Sequence, residues 1–291
     1  MLVNPVEMTQ KAREEGYGIG CFSSFDYNSV EAIITAAEET NTPVIMGILD
    51  FSDEKSPFPD FYMTKTQWKN FMRFVRGRAE SSPVPVCVHL DHCNTFDGCI
   101  RAIQEGATSV MLDASRKSFE ENVEITRKVV EAAHACGVAV EGEIGHIAGH
   151  PSALDEIFTT VEDAVAYYEA TGIDLLAASV GSVHGVLKTK PMLQFDLMKQ
   201  LRDAVPCGIV MHGASGMTEE EYNKSVRNGI VKLNFASYLQ ISMANAMREK
   251  LAQDTNGHMF AQTVNRAEVA AGVEMIKKHI GYFLTKPVSA V

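Results

Sequence analysis

Short apolar runs rich in β-branched residues recur along the chain, separated by segments with helical periodicity. Eight such runs predict strands, at residues 18–24, 43–49, 84–90, 109–114, 138–144, 174–180, 208–213 and 229–236. Several of them, such as VPVCVHL and DLLAASV, are apolar without alternation. This is typical of parallel strands that are buried on both faces. The pattern therefore indicates an α/β fold.

The segments between the strands have the spacing of amphipathic helices. In residues 28–40, four apolar side chains share one helical face, namely Val30, Ile33, Ile34 and Ala37. Gly137 follows the periodic segment 119–136 as a helix stop. The first 16 residues lack the apolar stretch of a signal peptide and resemble the start of a helix, so export is not expected.

Eight alternations of strand and helix predict a (β/α)8 TIM barrel, with residues 1–291 as a single domain. A doubly wound sheet is the rival, but no G-x-G-x-x-G follows the first strand. An irregular insertion at about residues 50–68 follows the second strand, and both a lid and a plain surface loop remain open for it. Residues 238–291 predict a C-terminal helical extension.

Composition excludes several classes of protein. A net charge of −11 argues against a broad nucleic-acid surface, and no apolar run approaches the roughly 20 residues of a membrane span. The six cysteines show no paired spacing, so we expect reduced thiols and a cytoplasmic protein. A phosphate site is still compatible with this charge, because a few backbone amides and one lysine suffice for it.

Histidines stand after three different predicted strands. In such a barrel, catalytic groups gather at the carboxyl ends of the strands, so His92, His184 and His212 are expected at one mouth. Three imidazoles with an open position are typical of catalytic zinc, although they suit several other metals. Asp91, beside His92, is predicted to act as general acid or base, or to orient an imidazole.

Two glutamates of the fifth strand, Glu141 and Glu143, share one face because side chains alternate along a strand. For Glu141, a buried ion pair and a functional role are both open. Asp113 ends the fourth strand. Cys93 follows a predicted ligand, but a small buried residue is the favoured interpretation over a soft metal ligand.

A second group of residues has the character of an anion site. The loop HGASG (residues 212–216) offers backbone amides at Gly213 and a hydroxyl at Ser215. The eighth strand ends with Asn234 and is followed by Ser237, while Lys188 adds a cation after the sixth. Loops after the seventh and eighth strands are the usual phosphate site of this barrel.

Together these motifs resemble the class II, zinc-dependent ketose-bisphosphate aldolases, which include the fructose- and tagatose-bisphosphate aldolases. Six motifs carry the resemblance in chain order: HLDH (89–92), DAS with FEEN (113–122), EGEIG (141–145), HGVLK (184–188), HGASG (212–216) and GIVKLN (229–234).

The resemblance implies a role for each matched residue. His92, His184 and His212 would bind one catalytic Zn²⁺ per subunit, and Asp91 would move the hydroxyl proton during carbon–carbon cleavage. Asp113 and Glu143 would be alternative metal contacts or contacts of a second metal site. The phosphate and hydroxyls of dihydroxyacetone phosphate would be held by Gly185, Lys188, Gly213, Ser215, Asn234 and Ser237. The resemblance also implies a monovalent cation near this phosphate and a homodimer or homotetramer, while Lys232 is assigned to structure.

The chain departs from the family on the side that binds the acceptor aldehyde. Ser23 stands where the family usually has Asn, and Leu49 stands where it often has Ser or Thr. His258 stands where many members have Arg. Pro151 stands where a loop glutamate usually moves the carbon proton. We therefore expect an acceptor other than glyceraldehyde 3-phosphate. An ordinary bisphosphate aldolase is the alternative, with charge supplied from the insertion by Lys55, Lys65 and Lys69. A second alternative is a non-cleaving phosphosugar-binding subunit.

Overall fold

Eight strands follow one another in chain order around a closed parallel barrel, which confirms the (β/α)8 prediction. The computed structural model describes residues 1–50, 52, 62–145, 158–185 and 191–288. The strands are β1 Ile19–Ser24, β2 Val44–Ile48, β3 Val86–Cys93, β4 Ser109–Leu112, β5 Ala139–Ile144, β6 Leu175–Ala178, β7 Gly208–Met211 and β8 Ile230–Phe235.

The helices within the described residues are α1 Pro5–Glu15, α2 Tyr27–Thr40, α3 Lys65–Ser81, α4 Phe96–Gln104, α5 Phe119–His134, α6 Val161–Thr171, α7 Phe195–Ala204, α8 Glu219–Arg227, α9 Ser237–Ala252 and α10 Ala261–Tyr282. The main core lies between the barrel and this outer layer. The C-terminal extension predicted at residues 238–291 is helical as expected, and its first helix, α9, begins one residue earlier at Ser237. No helix in the described ranges is both long and apolar enough to cross a membrane.

Strand β3 is longer than predicted. It continues to Cys93, beyond the predicted end at residue 90, and its pairing with β4 shifts register between Leu90 and Cys93. The apolar pattern stops at Leu90 because polar residues follow it, whereas the pairing with β4 continues to Cys93. This irregular end carries the predicted site residues.

The predicted insertion at 50–68 is wrong at its end, because α3 begins at Lys65. Thr64 caps this helix in a reciprocal hydrogen-bond pair with Gln67, a local signal for a helix start. Trp68 is buried and its indole nitrogen donates to the carbonyl oxygen of Leu49 at 3.0 Å. Residues 51 and 53–61, with Lys55 among them, lie outside the described residues, so the choice between lid and plain loop is untested.

The lower end of the barrel is closed by α1. Met8 and Ala12 on this helix pack with inward-facing strand residues Ile19, Ile45 and Val231. All six cysteines lie in described ranges and all are free thiols, in agreement with the sequence. Five of them are buried, including Cys93, which supports its assignment as a small buried residue.

We expect His279 on α10 to make the protein less stable in acid. Burial lowers the pKa of this imidazole to about 4, a hydrogen bond to the carbonyl of Met275 opposes this, and Lys278 adds to it. In the unfolded chain its pKa is near 6.5, so the unfolded state binds more protons between these values and stability falls as the pH drops. The loss from pH 7 to pH 5 is about 2 kcal/mol.

Urea denaturation at these two pH values measures this effect. The variant His279→Gln, which cannot titrate, should lose about 2 kcal/mol less than the wild type. Carboxylates titrate equally in both proteins, so the difference isolates His279. Equal losses in the two proteins would contradict the prediction.

Candidate active site and metal centre

The three predicted metal ligands meet at the carboxyl-terminal mouth of the barrel. His92 lies on β3, His184 follows β6 and His212 directly follows β7. The ring centres of His92 and His212 are 4.6 Å apart, and His184 lies 5.2 and 5.9 Å from them. One ring nitrogen from each lies within 4.8 Å of the others. Three separate strands thus bring three imidazoles to one point.

Carboxylates fix two of these imidazoles. Nδ1 of His92 lies 3.2 Å from Oδ2 of Asp113, and Nε2 of His212 lies 2.8 Å from Oε1 of Glu141. A carboxylate on one ring nitrogen sets the tautomer and leaves the other nitrogen for a metal. The remaining nitrogens, Nε2 of His92 and Nδ1 of His212, face each other at 3.0 Å.

This donor set fits a zinc ion. Two imidazole nitrogens on tetrahedral zinc, at roughly 2.0–2.1 Å each, lie about 3.3 Å apart, which is close to the separation of His92 and His212. Burial lowers the pKa of His92, but the carboxylates of Asp91, Asp113 and Glu143 outweigh it and raise that pKa to about 9. The surrounding charge therefore favours a cation at this place.

Asp91 and His92 both reach the mouth because the end of β3 is irregular. Consecutive residues of a regular strand point to opposite faces. Here the register shifts and His92 has a φ of 49°, in the left-handed region that non-glycine residues rarely adopt. The local backbone strain is a feature that often marks functional sites. No sequence pattern predicts this backbone conformation at His92.

Asp91 is buried and held by an amide. Nδ2 of Asn234 donates to both its carboxylate oxygens, at 3.0 and 3.2 Å. The same nitrogen lies 3.2 Å from Nδ1 of His212, so Asn234 bridges the predicted acid/base and a predicted metal ligand. The sequence predicts a role for this asparagine in binding the substrate phosphate or hydroxyls, and it contains no signal for the bridge.

The two residues of the predicted second metal site also come together. Asp113 and Glu143 each offer an oxygen within 4.8 Å of a His92 nitrogen and of one another. Burial, and then the charge of Asp113, raise the pKa of Glu143 to about 8. Burial raises the pKa of Asp113, but hydrogen bonds from His92 and Ser115 outweigh it and lower that pKa. One carboxylate of the pair is thus held ionised and the other is shifted towards its neutral form.

Three of the predicted phosphate residues, Gly213, Ser215 and Ser237, lie just after β7 and β8. Gly213 has a φ of 65°, and a Cβ there would lie 2.6 Å from the carbonyl carbon of Val183, so only glycine allows this approach of two loops. Oγ of Ser215 accepts from the amide of Ala236 at 3.4 Å. Ser237 is the first residue of α9, whose amino-terminal end favours an anion.

Not every predicted phosphate residue can be placed. Gly185, with a φ of 92°, ends one described range. Lys188 and Pro151 lie outside the described residues. Their predicted roles are therefore untested.

The acceptor-side residues do not form one group. Ser23 is buried on β1 and Leu49 follows β2, so both are near the mouth. His258 is exposed in the connection between α9 and α10. Helix α9, which leads there from β8, has 16 residues and is about 24 Å long. Lys69, suggested as an alternative charge, is paired with Glu105 at 2.7 Å.

A buried polar network beneath the histidines was missed by the sequence analysis. Glu141 and Lys232 form a fully buried ion pair, with Nζ 2.9 Å from Oε2. For Glu141, where the sequence allows an ion pair or a functional role, the structure shows contacts with both Lys232 and His212. The pairs E-x-E and K-x-N, with polar residues two apart in buried strands, were the available signal.

Comparisons with known proteins agree with this geometry. The family model for class II fructose-bisphosphate aldolase matches residues 3–286. A probable fructose-bisphosphate aldolase of Bacillus subtilis is 39% identical over 256 residues, covering 86% of this chain and 87% of that protein. A fructose-bisphosphate aldolase of Geobacillus stearothermophilus is 38% identical over 260 residues, covering 88% of each. The crystal structure of the YdjI aldolase from Escherichia coli K12 superimposes with a TM-score of 0.84 at 29% identity, covering 97% of each chain.

Proposed function

Because this chain belongs to the class II fructose-bisphosphate aldolase family, we propose that it cleaves a ketose bisphosphate reversibly into dihydroxyacetone phosphate and an aldehyde phosphate. Members of the family are zinc-dependent lyases of carbohydrate metabolism. The observation that carries the proposal is the meeting of three imidazoles beside Asp91, with carboxylates fixing two of the rings.

The metal would be held by His92, His184 and His212. A divalent ion there supplies a Lewis acid that stabilises the negative charge developing on the ketose oxygens during cleavage. Asp113 and Glu141 orient two of the ligand rings through their outer nitrogens. Because the metal would supply this stabilisation, the reaction needs no lysine that forms a Schiff base with the substrate.

Asp91 moves the proton of the hydroxyl at the bond that breaks. Its carboxylate is buried and fixed by Asn234, so it meets the substrate in one orientation. Gly213, Ser215 and Ser237 would hold the phosphate of the dihydroxyacetone phosphate half, where α9 begins. The side chain of Lys188 would add a positive charge beside this phosphate.

The names of the relatives support fructose 1,6-bisphosphate as the substrate. Proteins named fructose-bisphosphate aldolase are 35–39% identical over most of their length. This supports the ordinary aldolase, the alternative of the sequence analysis, over an unusual acceptor. One observation still favours a second candidate. At the acceptor rim, Leu49 is partly buried against the core and offers no polar group to a second phosphate.

Steady-state kinetics with and without a chelator test the proposal. We expect family-level kcat/KM for fructose 1,6-bisphosphate, lost on chelation and restored by Zn²⁺. Slow turnover of both fructose and tagatose 1,6-bisphosphate, together with metal-dependent exchange of the dihydroxyacetone phosphate α-proton in deuterium oxide, would favour another acceptor. A zinc-loaded protein with neither activity would contradict the proposal and favour the non-cleaving binder.

The assembly and location follow from the family alone. We propose a homodimer or homotetramer in the cytoplasm, with a monovalent cation near the phosphate. Analytical ultracentrifugation measures the oligomeric state directly. A monomer that retains full activity would contradict it.

A further inference from the structure

We propose that Lys232 is a positioning residue that orients the metal ligand His212 through Glu141 and the acid/base Asp91 through Asn234. The inference rests on the proposed function for the roles of His212 and Asp91. The contacts that carry it lie in the barrel interior. It assigns a part in the reaction to a lysine that the sequence analysis assigned to structure.

Lys232 has no access to solvent, and its ammonium group contacts two buried side chains. Nζ donates to Oε1 of Glu141 at 3.2 Å and to Oδ1 of Asn234 at 2.7 Å, and it forms an ion pair with Oε2 of Glu141 at 2.9 Å. Two of the three donors of the ammonium group are therefore used in hydrogen bonds. Such a lysine is not available as a nucleophile.

The first arm runs through Glu141 to the metal ligand. A carboxylate paired with an ammonium accepts hydrogen bonds and donates none. The imidazole nitrogen 2.8 Å from it, Nε2 of His212, must therefore carry the proton. Nδ1 then has a lone pair, and this is the nitrogen that faces Nε2 of His92. Lys232 holds Glu141 in place as an ion-pair partner, so it determines which nitrogen His212 presents.

The second arm runs through Asn234 to the acid/base. Lys232 can only donate, so the amide oxygen of Asn234 must face it. The amide nitrogen consequently faces Asp91, at 3.0 and 3.2 Å from its two oxygens. The charge of Lys232 thus fixes an orientation of Asn234 that the chain could otherwise reverse.

A buried ion pair with no further role would need only the contact between Lys232 and Glu141. Both partners instead continue to the reacting groups. Removing one partner alone would leave an uncompensated buried charge and threaten folding. Replacing both with apolar residues of similar volume is often tolerated, so the test uses Glu141→Met/Lys232→Met. A matched control, Glu268→Met/Lys277→Met, makes the same two changes on α10, where Glu268 is buried and bonded to Asn28.

Three measurements on the full-length protein test the inference. Competition with a chelator should show Zn²⁺ affinity about 10–100-fold weaker in the double variant than in the wild type. At saturating Zn²⁺, kcat should stay about 10-fold or more below the wild type, because Asp91 is no longer oriented. Histidine ¹⁵N NMR of the metal-free protein should show Nε2–H at His212 in the wild type and a mixture of tautomers in the double variant. The control should match the wild type throughout.

The outcomes separate the inference from the proposed function. A folded double variant with wild-type Zn²⁺ affinity and kcat, or with His212 still wholly Nε2–H, would overturn the inference. Full recovery of kcat at saturating Zn²⁺ would contradict the proposal that Lys232 orients Asp91 through Asn234. A wild type that neither binds Zn²⁺ nor turns over substrate would contradict the proposed function instead. The NMR measurement needs neither metal nor turnover, so it tests the arm to His212 even then.

Discussion

Replacing His212 with alanine is expected to slow metal-dependent exchange of the dihydroxyacetone phosphate α-proton by about 10³-fold or more, because a Lewis acid contributes several kcal/mol to charge stabilisation. His212 provides one of the two facing nitrogens, 3.0 Å from that of His92, and its loss leaves two of three imidazoles. The exchange is followed by NMR in deuterium oxide at fixed Zn²⁺. It reports on the donor half of the reaction whatever the acceptor.

The control for this variant is His279→Gln, which replaces a buried histidine away from the mouth, on α10. It should keep both its Zn²⁺ content and its exchange rate. The variant His212→Ala should lose Zn²⁺ in parallel with activity. A variant that retained metal-dependent exchange within tenfold of the wild type would contradict the assignment of His212 as a ligand.

The barrel could be predicted from the sequence because its strands are buried on both faces. Burial on both faces favours near-continuous apolar runs, and seven of the eight predicted runs contain the observed strands. The end of β3 could not be predicted, since polar residues continue the strand there. The start of α3 was missed for another reason. The capping pair of Thr64 and Gln67 was present but was overlooked within a polar segment.

The meeting of the candidate site residues at one mouth could be predicted, but their contacts could not. Motifs at strand ends pointed to Asp91, His92 and His212, since the fold alone brings such ends together. The contact between Glu141 and Lys232 joins residues 91 apart in sequence across the barrel, and no local pattern encodes it. The orientation of Asn234 depends on that contact, so it was equally hidden.

The charges at the mouth suit a divalent cation. Four carboxyl groups from three strand ends surround the histidines, those of Asp91, Asp113, Glu141 and Glu143, and one buried ammonium, that of Lys232, lies among them. Even with the raised pKa of Glu143, which shifts it towards its neutral form, the acidic groups outnumber this ammonium. A site with this imbalance is better balanced with a metal ion bound than without one. The same imbalance explains why the pKa of His92 is raised despite its burial.

Replacing Asp91 with asparagine should lower kcat for ketose bisphosphate cleavage by about 10²–10⁴-fold while Zn²⁺ content stays unchanged. Asparagine keeps an oxygen that can accept from Asn234, so the side chain remains held, but it cannot exchange a proton with the substrate hydroxyl. Coupled assays at saturating substrate measure kcat, and atomic absorption measures the metal.

The matched control makes the same change at the neighbouring strand end. Asp113 orients His92 through Nδ1, so Asp113→Asn should weaken Zn²⁺ binding by about 10–100-fold and regain most of its activity in excess Zn²⁺. Excess metal should not rescue Asp91→Asn, since its defect is in proton transfer. If added Zn²⁺ restored Asp91→Asn, the carboxylate would be acting on the metal ligands, and its place as the acid/base would be lost.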